Sequence, residues 1–131
     1  MSAGVLDTSV FIATESGRGL NKELLPEHGY VTVVTLAELE TGVLAATTTD
    51  ARAARLRTLQ ALMDVDHLDI DRAAAHEWSR LRYKLAKERH RVNVNDLWIA
   101  AVAQSRGLPV ITQDEDFMAI AAVGGPPVRL V

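Results

Sequence analysis

The sequence predicts an α/β domain built on a mostly parallel sheet, and three observations carry that expectation. Short apolar runs recur at Val5-Leu6, Tyr30-Val31-Thr32-Val33-Val34, Leu108-Pro109-Val110-Ile111-Thr112 and Val128-Arg129-Leu130-Val131. Longer stretches with apolar residues every three or four positions separate them, so strands alternate with helices. The run from Tyr30 to Val34 is β-branched and too continuously apolar for a half-exposed edge, which suits a strand covered on both faces.

Taken in order, Val5-Leu6 leads straight into Asp7-Thr8-Ser9 and then Val10-Phe11-Ile12, a strand that ends where a helix begins. Glu15-Ser16-Gly17-Arg18-Gly19 reads as a loop, followed by a short helix over Leu20 to Leu25 before Pro26. After the second strand, Thr35-Leu36-Ala37-Glu38 has the form of a capping box and opens a helix running to about Ala46. Thr47-Thr48-Thr49-Asp50 breaks that helix and caps the next, whose apolar stripe is Leu56, Leu59 and Met63. Asp66 to Ile70 is a short, partly exposed strand. The longest helix spans Arg72 to about Arg89, with Ala74, Trp78, Leu81 and Leu85 on its buried side and a basic run from Arg80 to Arg91 at its end. Asn93-Val94-Asn95-Asp96 starts a helix that is apolar all round from Leu97 to Ala103, as a central buried helix must be, and Gly107 stops it. Pro109 stands at the first positions of the next strand, where a missing donor is tolerated. Gln113-Asp114-Glu115-Asp116-Phe117 turns into a short helix, and Gly124-Gly125-Pro126-Pro127 leads to the last strand. With no internal repeat and no linker, residues 1–131 are expected to be one domain.

Composition narrows the chemistry. A chain of 131 residues buries roughly two thirds of its unfolded surface and needs no staple. Without cysteine there is no disulfide, no thiolate nucleophile and no zinc-thiolate site. Met1-Ser2-Ala3-Gly4 lacks the basic region of a signal peptide, and no apolar run reaches membrane-spanning length, so a cytoplasmic protein is expected. The net charge of −3 argues at first against a polyanionic partner, but the sum hides an asymmetry. If Asp7, Glu38, Asp96, Asp114 and Asp116 share one site, 12 acidic residues remain elsewhere against 14 Lys and Arg. Away from that site the protein is slightly basic.

Four of these acids occupy equivalent places: Asp7 ends the first strand, Glu38 follows the second, Asp96 opens the central helix and Asp114 lies just past Thr112. Each has a local explanation, since an acid in a first helical turn gains roughly 0.3 to 1 kcal/mol from the helix dipole. Parallel strands, however, put their carboxyl ends along one rim, where ligands bind in open sheets. Carboxylates gathered there within a few ångströms cannot all stay ionised without a cation. Oxygen donors with neither Cys nor a matched His pair suit Mg²⁺, or Mn²⁺, over zinc. Such an ion engages phosphates, so metal-assisted attack of water on a phosphodiester is the chemistry that fits.

The blocks V-L-D-T-S at Asp7, T-L-A-E-L at Glu38 with Gly42 four residues on, N-D-L-W-I-A-A at Asn95-Asp96, and I-T-Q-D-E-D-F from Ile111 to Phe117 together resemble the signature of the PIN-domain nucleases, and more narrowly of the VapC toxins of bacterial toxin-antitoxin pairs. The resemblance spans residues 5 to 117. It implies a three-layer α/β/α fold with five parallel strands, and it makes Asp7, Glu38, Asp96 and Asp114 an acidic quartet with Asp7 and Asp96 as direct Mg²⁺ ligands. Ser9, Asn95 and Thr112 become supporting polar positions. Asp116 stands beside Asp114, and the sequence leaves open which of the two reaches the metal. The same resemblance implies endoribonuclease activity, a homodimer and inhibition by a cognate VapB-like antitoxin.

In the basic run, Arg82, Lys84 and Arg89 end a few residues before Asp96 and are expected to hold RNA phosphates; the other reading is a solvated helix end. A receiver domain is disfavoured because the first strand ends in a single Asp and no Lys follows Lys87. The Asp-x-Asp of haloacid-dehalogenase-like phosphatases is also absent, since Ser9 stands two residues after Asp7. A metal-stabilised module that binds RNA or a partner without cutting is the non-enzymatic alternative.

Overall fold

The computed structural model describes residues 2–131; Met1 of the N-terminal stretch read above lies outside them. Five strands, β1 (Ala3–Leu6), β2 (His28–Thr32), β3 (His67–Leu68), β4 (Val110–Thr112) and β5 (Val128–Leu130), form one sheet in the order β3-β2-β1-β4-β5. Every pairing is parallel, with Val5 opposite both Tyr30 and Val110. The helices are α1 (Thr8–Ser16), α2 (Val33–Ala45), α3 (Thr49–Ala61), α4 (Arg72–Lys87), α5 (Val94–Ser105) and α6 (Phe117–Ala122). Among the described residues no helix is long and apolar enough to cross a membrane.

The sheet separates two apolar clusters, which makes the three layers expected from sequence. One gathers Val5 and Val110 with Leu81 and Leu85 of α4, Leu97, Ile99 and Ala100 of α5, and Phe117 and Ile120 after β4. The other joins Val31 to Leu39 and Leu62, with Phe11, Leu36 and Leu59 packed against them. Helix α5 is buried from Ile99 through Ala103, as its uniform apolarity requires. Each fully buried Leu, Ile or Val there contributes about 1.5–3 kcal/mol. Gly107 ends this segment in the left-handed region at φ 67, and the Leu108 N–H closes back on the Ala103 carbonyl.

Several boundaries differ from the sequence reading. Strand β2 stops at Thr32, and Val33 and Val34 belong to the first turn of α2. Thr32 is the N-cap, its hydroxyl accepting from the Thr35 N–H at 3.3 Å, so the capping box expected at Thr35 and Glu38 does not form. Val33 and Val34 are as good on a buried helix face as in a strand, and the threonine hydroxyl decides where the strand ends. In α3 the inward face is Leu59 with Leu62, while Leu56 is 40% and Met63 63% exposed. The expected stripe was rotated by one position because Leu62 supplies the buried contact that Met63 was assigned. The helix expected over Leu20 to Leu25 is a single 3-10 turn, Lys22–Leu24, and the strand expected over Asp66 to Ile70 shortens to His67–Leu68.

Candidate active site

Asp7 follows β1 and is the N-cap of α1, 3% exposed. Its Oδ2 accepts two hydrogen bonds, from the Thr112 hydroxyl at 2.8 Å and the Ser9 N–H at 3.3 Å. Thr112 is in turn fixed on both remaining sides: its oxygen accepts the Asp114 N–H at 2.9 Å and lies 3.1 Å from the Ser9 hydroxyl. Having given its proton to Asp7, Thr112 must accept from Ser9. Ser9 Oγ also accepts the Gln113 N–H at 3.0 Å. These bonds tie the end of β1 to the end of β4 and leave Oδ1 of Asp7 without a protein donor among the described residues.

Glu38 lies in the second turn of α2, directed back toward α1. The Thr8 hydroxyl stands 2.7 Å from Glu38 Oε1 and 3.0 Å from the Thr35 hydroxyl. Thr8 is the donor toward both oxygens: its one proton favours the nearer carboxylate, which can only accept, and the Thr35 oxygen accepts a weaker share of it. Thr8 and Thr35 are both buried. Neither was singled out from the sequence, where Thr8 carried no role beside Asp7 and Ser9 and Thr35 stood as a cap. The available signal was spacing, since Thr35 and Glu38 stand three apart and share a helix face.

Asp96 sits in the first turn of α5, half-buried, and its pKa is pushed up from 3.8 to about 7. Burial is the largest cause, followed by the charges of Asp7, Asp114, Glu38 and Asp116 in that order. The fields of residues 7, 38, 114 and 116 therefore meet at Asp96, although they come from four separate segments. Asp114 is half-buried and its Oδ1 accepts the Asp116 N–H at 2.9 Å, so it is oriented, whereas Asp116 is exposed and acts on Asp96 last.

The convergence is looser than the few ångströms expected. Among the described residues no three such side chains stand close enough to cage an ion unaided. That spacing still suits Mg²⁺, which keeps several waters and takes one or two carboxylates plus substrate phosphates, and does not suit a closed all-protein site. An all-oxygen donor set in which burial and like charges resist ionisation of one carboxyl is the arrangement a hard divalent ion relieves.

The PIN domain family model matches residues 4–123. The chain is 63% identical over 119 residues to Ribonuclease VapC5 of Mycobacterium tuberculosis, covering 91% of this chain and 88% of the relative. It is 42% identical over 117 residues to Ribonuclease VapC4 of the same organism, covering 89% and 90%. This chain belongs to the PIN-domain family, among the VapC ribonucleases. The solved structure of VapBC-5 from Mycobacterium tuberculosis, described as a member of the VapBC family of toxin-antitoxin systems, superposes at a TM-score of 0.89 with 55% identity over 100% of this chain and 98% of that one.

Two clefts of this PIN domain border Glu38, one of them, about 330 Å³, also lined by Thr8 and Arg55; a separate groove has none of the five acids in its walls. The second cleft, of about 520 Å³, is lined by Glu38 and Asn95 with Val33, Thr41, Ile70 and Trp98. Asn95 is exposed in the first turn of α5, and its N–H is held by the Asn93 side chain at 2.8 Å. Trp98 stacks on Trp78 with ring centroids 5.0 Å apart, so both tryptophans are packing residues, as their spacing implied. The separate groove, of about 760 Å³, runs between the end of α4 and α6. Lys84 lines it together with Lys87 and His90, while Arg82 and Arg89 are exposed outside its walls. Arg89 takes a left-handed φ of 54 where α4 terminates.

Proposed function

We propose that this PIN domain is a metal-dependent endoribonuclease toxin that hydrolyses RNA phosphodiesters and is inhibited by a cognate VapB-like antitoxin. The observation that carries the reading is Asp96, surrounded by four other carboxylates and half shielded from water, in a chain whose relatives are named ribonucleases. Asp7 and Asp96 would hold Mg²⁺, or Mn²⁺, with Asp114 and Asp116 as the further acids whose charges act on Asp96. When bound, the ion supplies Lewis-acid polarisation of the phosphate and lowers the pKa of attacking water.

The protein's own groups do the rest. Ser9 and Thr112 fix Asp7 so that one carboxylate oxygen always faces the site. Glu38 takes the proton of the attacking water at Oε2, the oxygen Thr8 leaves open. The Asp114 charge acts on Asp96, and Asn95 borders the cleft beside Glu38. Attack by water in line breaks the bond from phosphorus to the ribose 3′ oxygen, which takes a proton from solvent, leaving a 5′-phosphate and a 3′-hydroxyl. The VapBC-5 likeness supports an antitoxin partner of the VapB kind, and we extend the reading to a homodimer.

Incubating purified protein with total RNA, with and without Mg²⁺, and mapping the new ends tests this directly. Metal-dependent cuts with 5′-phosphates are expected. A 2′,3′-cyclic phosphate would refute the mechanism, because the ribose hydroxyl would then have been the nucleophile.

Substrate binding is assigned to the basic end of α4, where Lys84 and Lys87 face the groove and Arg82 and Arg89 flank it. Each phosphate contact contributes about 0.7 to the slope of log affinity against log salt for a single strand. Replacing Arg82, Lys84 and Arg89 together by Ala is expected to weaken RNA binding and to flatten that slope by about one to two. An unchanged slope, measured by fluorescence anisotropy across a salt series, would return the cluster to ordinary solvated surface.

A further inference from the structure

Two consecutive residues of α1 serve two different acids. Ser9 belongs to the bonds around Asp7, and Thr8 to those around Glu38. Neighbours on a helix project about 100° apart, so a single turn reaches both sides of the site. A buried hydroxyl costs stability unless bonded, yet the Thr8 hydroxyl is spent on a carboxylate that could be solvated instead. Its partner Thr35 is completely enclosed, and the Thr35 N–H is itself fixed by Thr32.

The geometry points to Thr8 as the positioning residue of Glu38: its hydroxyl, held by Thr35, fixes Oε1 and presents Oε2 to the reacting water. This rests on the nuclease reading above. Thr8 is buried, and its hydroxyl acts through Glu38. The alternative is that the Thr8–Thr35–Glu38 chain merely holds α1 to α2, in which case its loss would lower stability without selecting one kinetic constant.

The test compares Thr8→Val, Thr8→Ser, Thr35→Val and Thr112→Val with the wild type in three measurements. These are kcat and KM for an RNA oligonucleotide at saturating Mg²⁺, Mn²⁺ affinity by electron paramagnetic resonance, and the thermal midpoint. Thr8→Val is expected to lower kcat about 10- to 100-fold, the usual cost of losing a partner that orients an active-site group, with KM and Mn²⁺ affinity within about two-fold. Thr8→Ser, which keeps the hydroxyl, recovers most of that loss. Thr35→Val gives a smaller fall of the same kind and carries the test if Thr8→Val does not fold. Thr112→Val, by releasing Asp7, weakens Mn²⁺ binding.

Cleaving wild type with an undiminished kcat in Thr8→Val overturns the inference and leaves the nuclease reading standing. So does a serine variant no better than valine, or a Mn²⁺ affinity that falls in Thr8→Val as far as in Thr112→Val. Wild type that cleaves no RNA with either metal overturns both.

Discussion

Replacing Asp7 by Asn is expected to reduce RNA cleavage by about a thousand-fold, since about 4 kcal/mol of charge stabilisation at the phosphate is lost and each 1.36 kcal/mol is a factor of ten. The fold should survive. Asn is as good an N-cap as Asp, so α1 still starts correctly. The amide can offer only one acceptor oxygen, and the Thr112 hydroxyl and Ser9 N–H both require an acceptor where Oδ2 now stands. That oxygen is therefore locked toward the protein, and the NH₂ group is turned toward the site, where a donor replaces the acceptor a cation needs. Cleavage assays beside calorimetry check this. A variant keeping more than about a tenth of wild-type activity, less than 1.4 kcal/mol of lost stabilisation, would remove Asp7 from the centre.

Asp96→Asn is expected to be inactive and, without metal, more stable than the wild type above neutral pH. Burial and the surrounding carboxylates raise the Asp96 pKa in the folded state to about 7, against 3.8 for the free side chain. Between those values the folded protein binds more protons than the unfolded chain, so its stability falls as pH rises through that window. In a dry site the shift would be worth about 4 kcal/mol, and partial solvent contact reduces the expected loss between pH 5 and 8 to about 1–2 kcal/mol. Denaturant unfolding in chelator should show this slope in the wild type and lose it in Asp96→Asn. Mg²⁺ should restore wild-type stability at pH 8 and do little for the variant. Stability that increases with pH over the same range in metal-free wild type would mean that Asp96 is not crowded by its neighbours.

What the sequence disclosed was mostly long-range periodicity and what it concealed was mostly local. The uniformly apolar Leu97 to Ala103 could only be a central helix, and Ala74, Leu81 and Leu85 could only face a core; both lie where expected. The positions of Asp7, Asp96 and Asp114 after strands or at helix starts followed from the alternation of elements. The β2 to α2 junction was misread because Val33 and Val34 satisfy strand and helix equally, and a single hydroxyl at Thr32 settles the boundary. The Thr8–Glu38 bond was invisible for another reason: it joins residues 30 apart, and no pattern within one element announces it. Nor did charge alone tell Lys84, which lines the groove, from Arg82 and Arg89, which do not, because that depends on where α6 packs.

The acids gather where helices begin: Asp7 caps α1, Asp96 lies in the first turn of α5, and Glu38 is little more than a turn into α2. Amide N–H dipoles aimed at that corner already offset part of the negative charge before any ion arrives. Unlike a zinc finger, which collapses when stripped, this protein is expected to fold without its cation and to acquire it afterwards. A chelator should silence it reversibly without melting it, so the free divalent concentration can act as a throttle on an intact molecule.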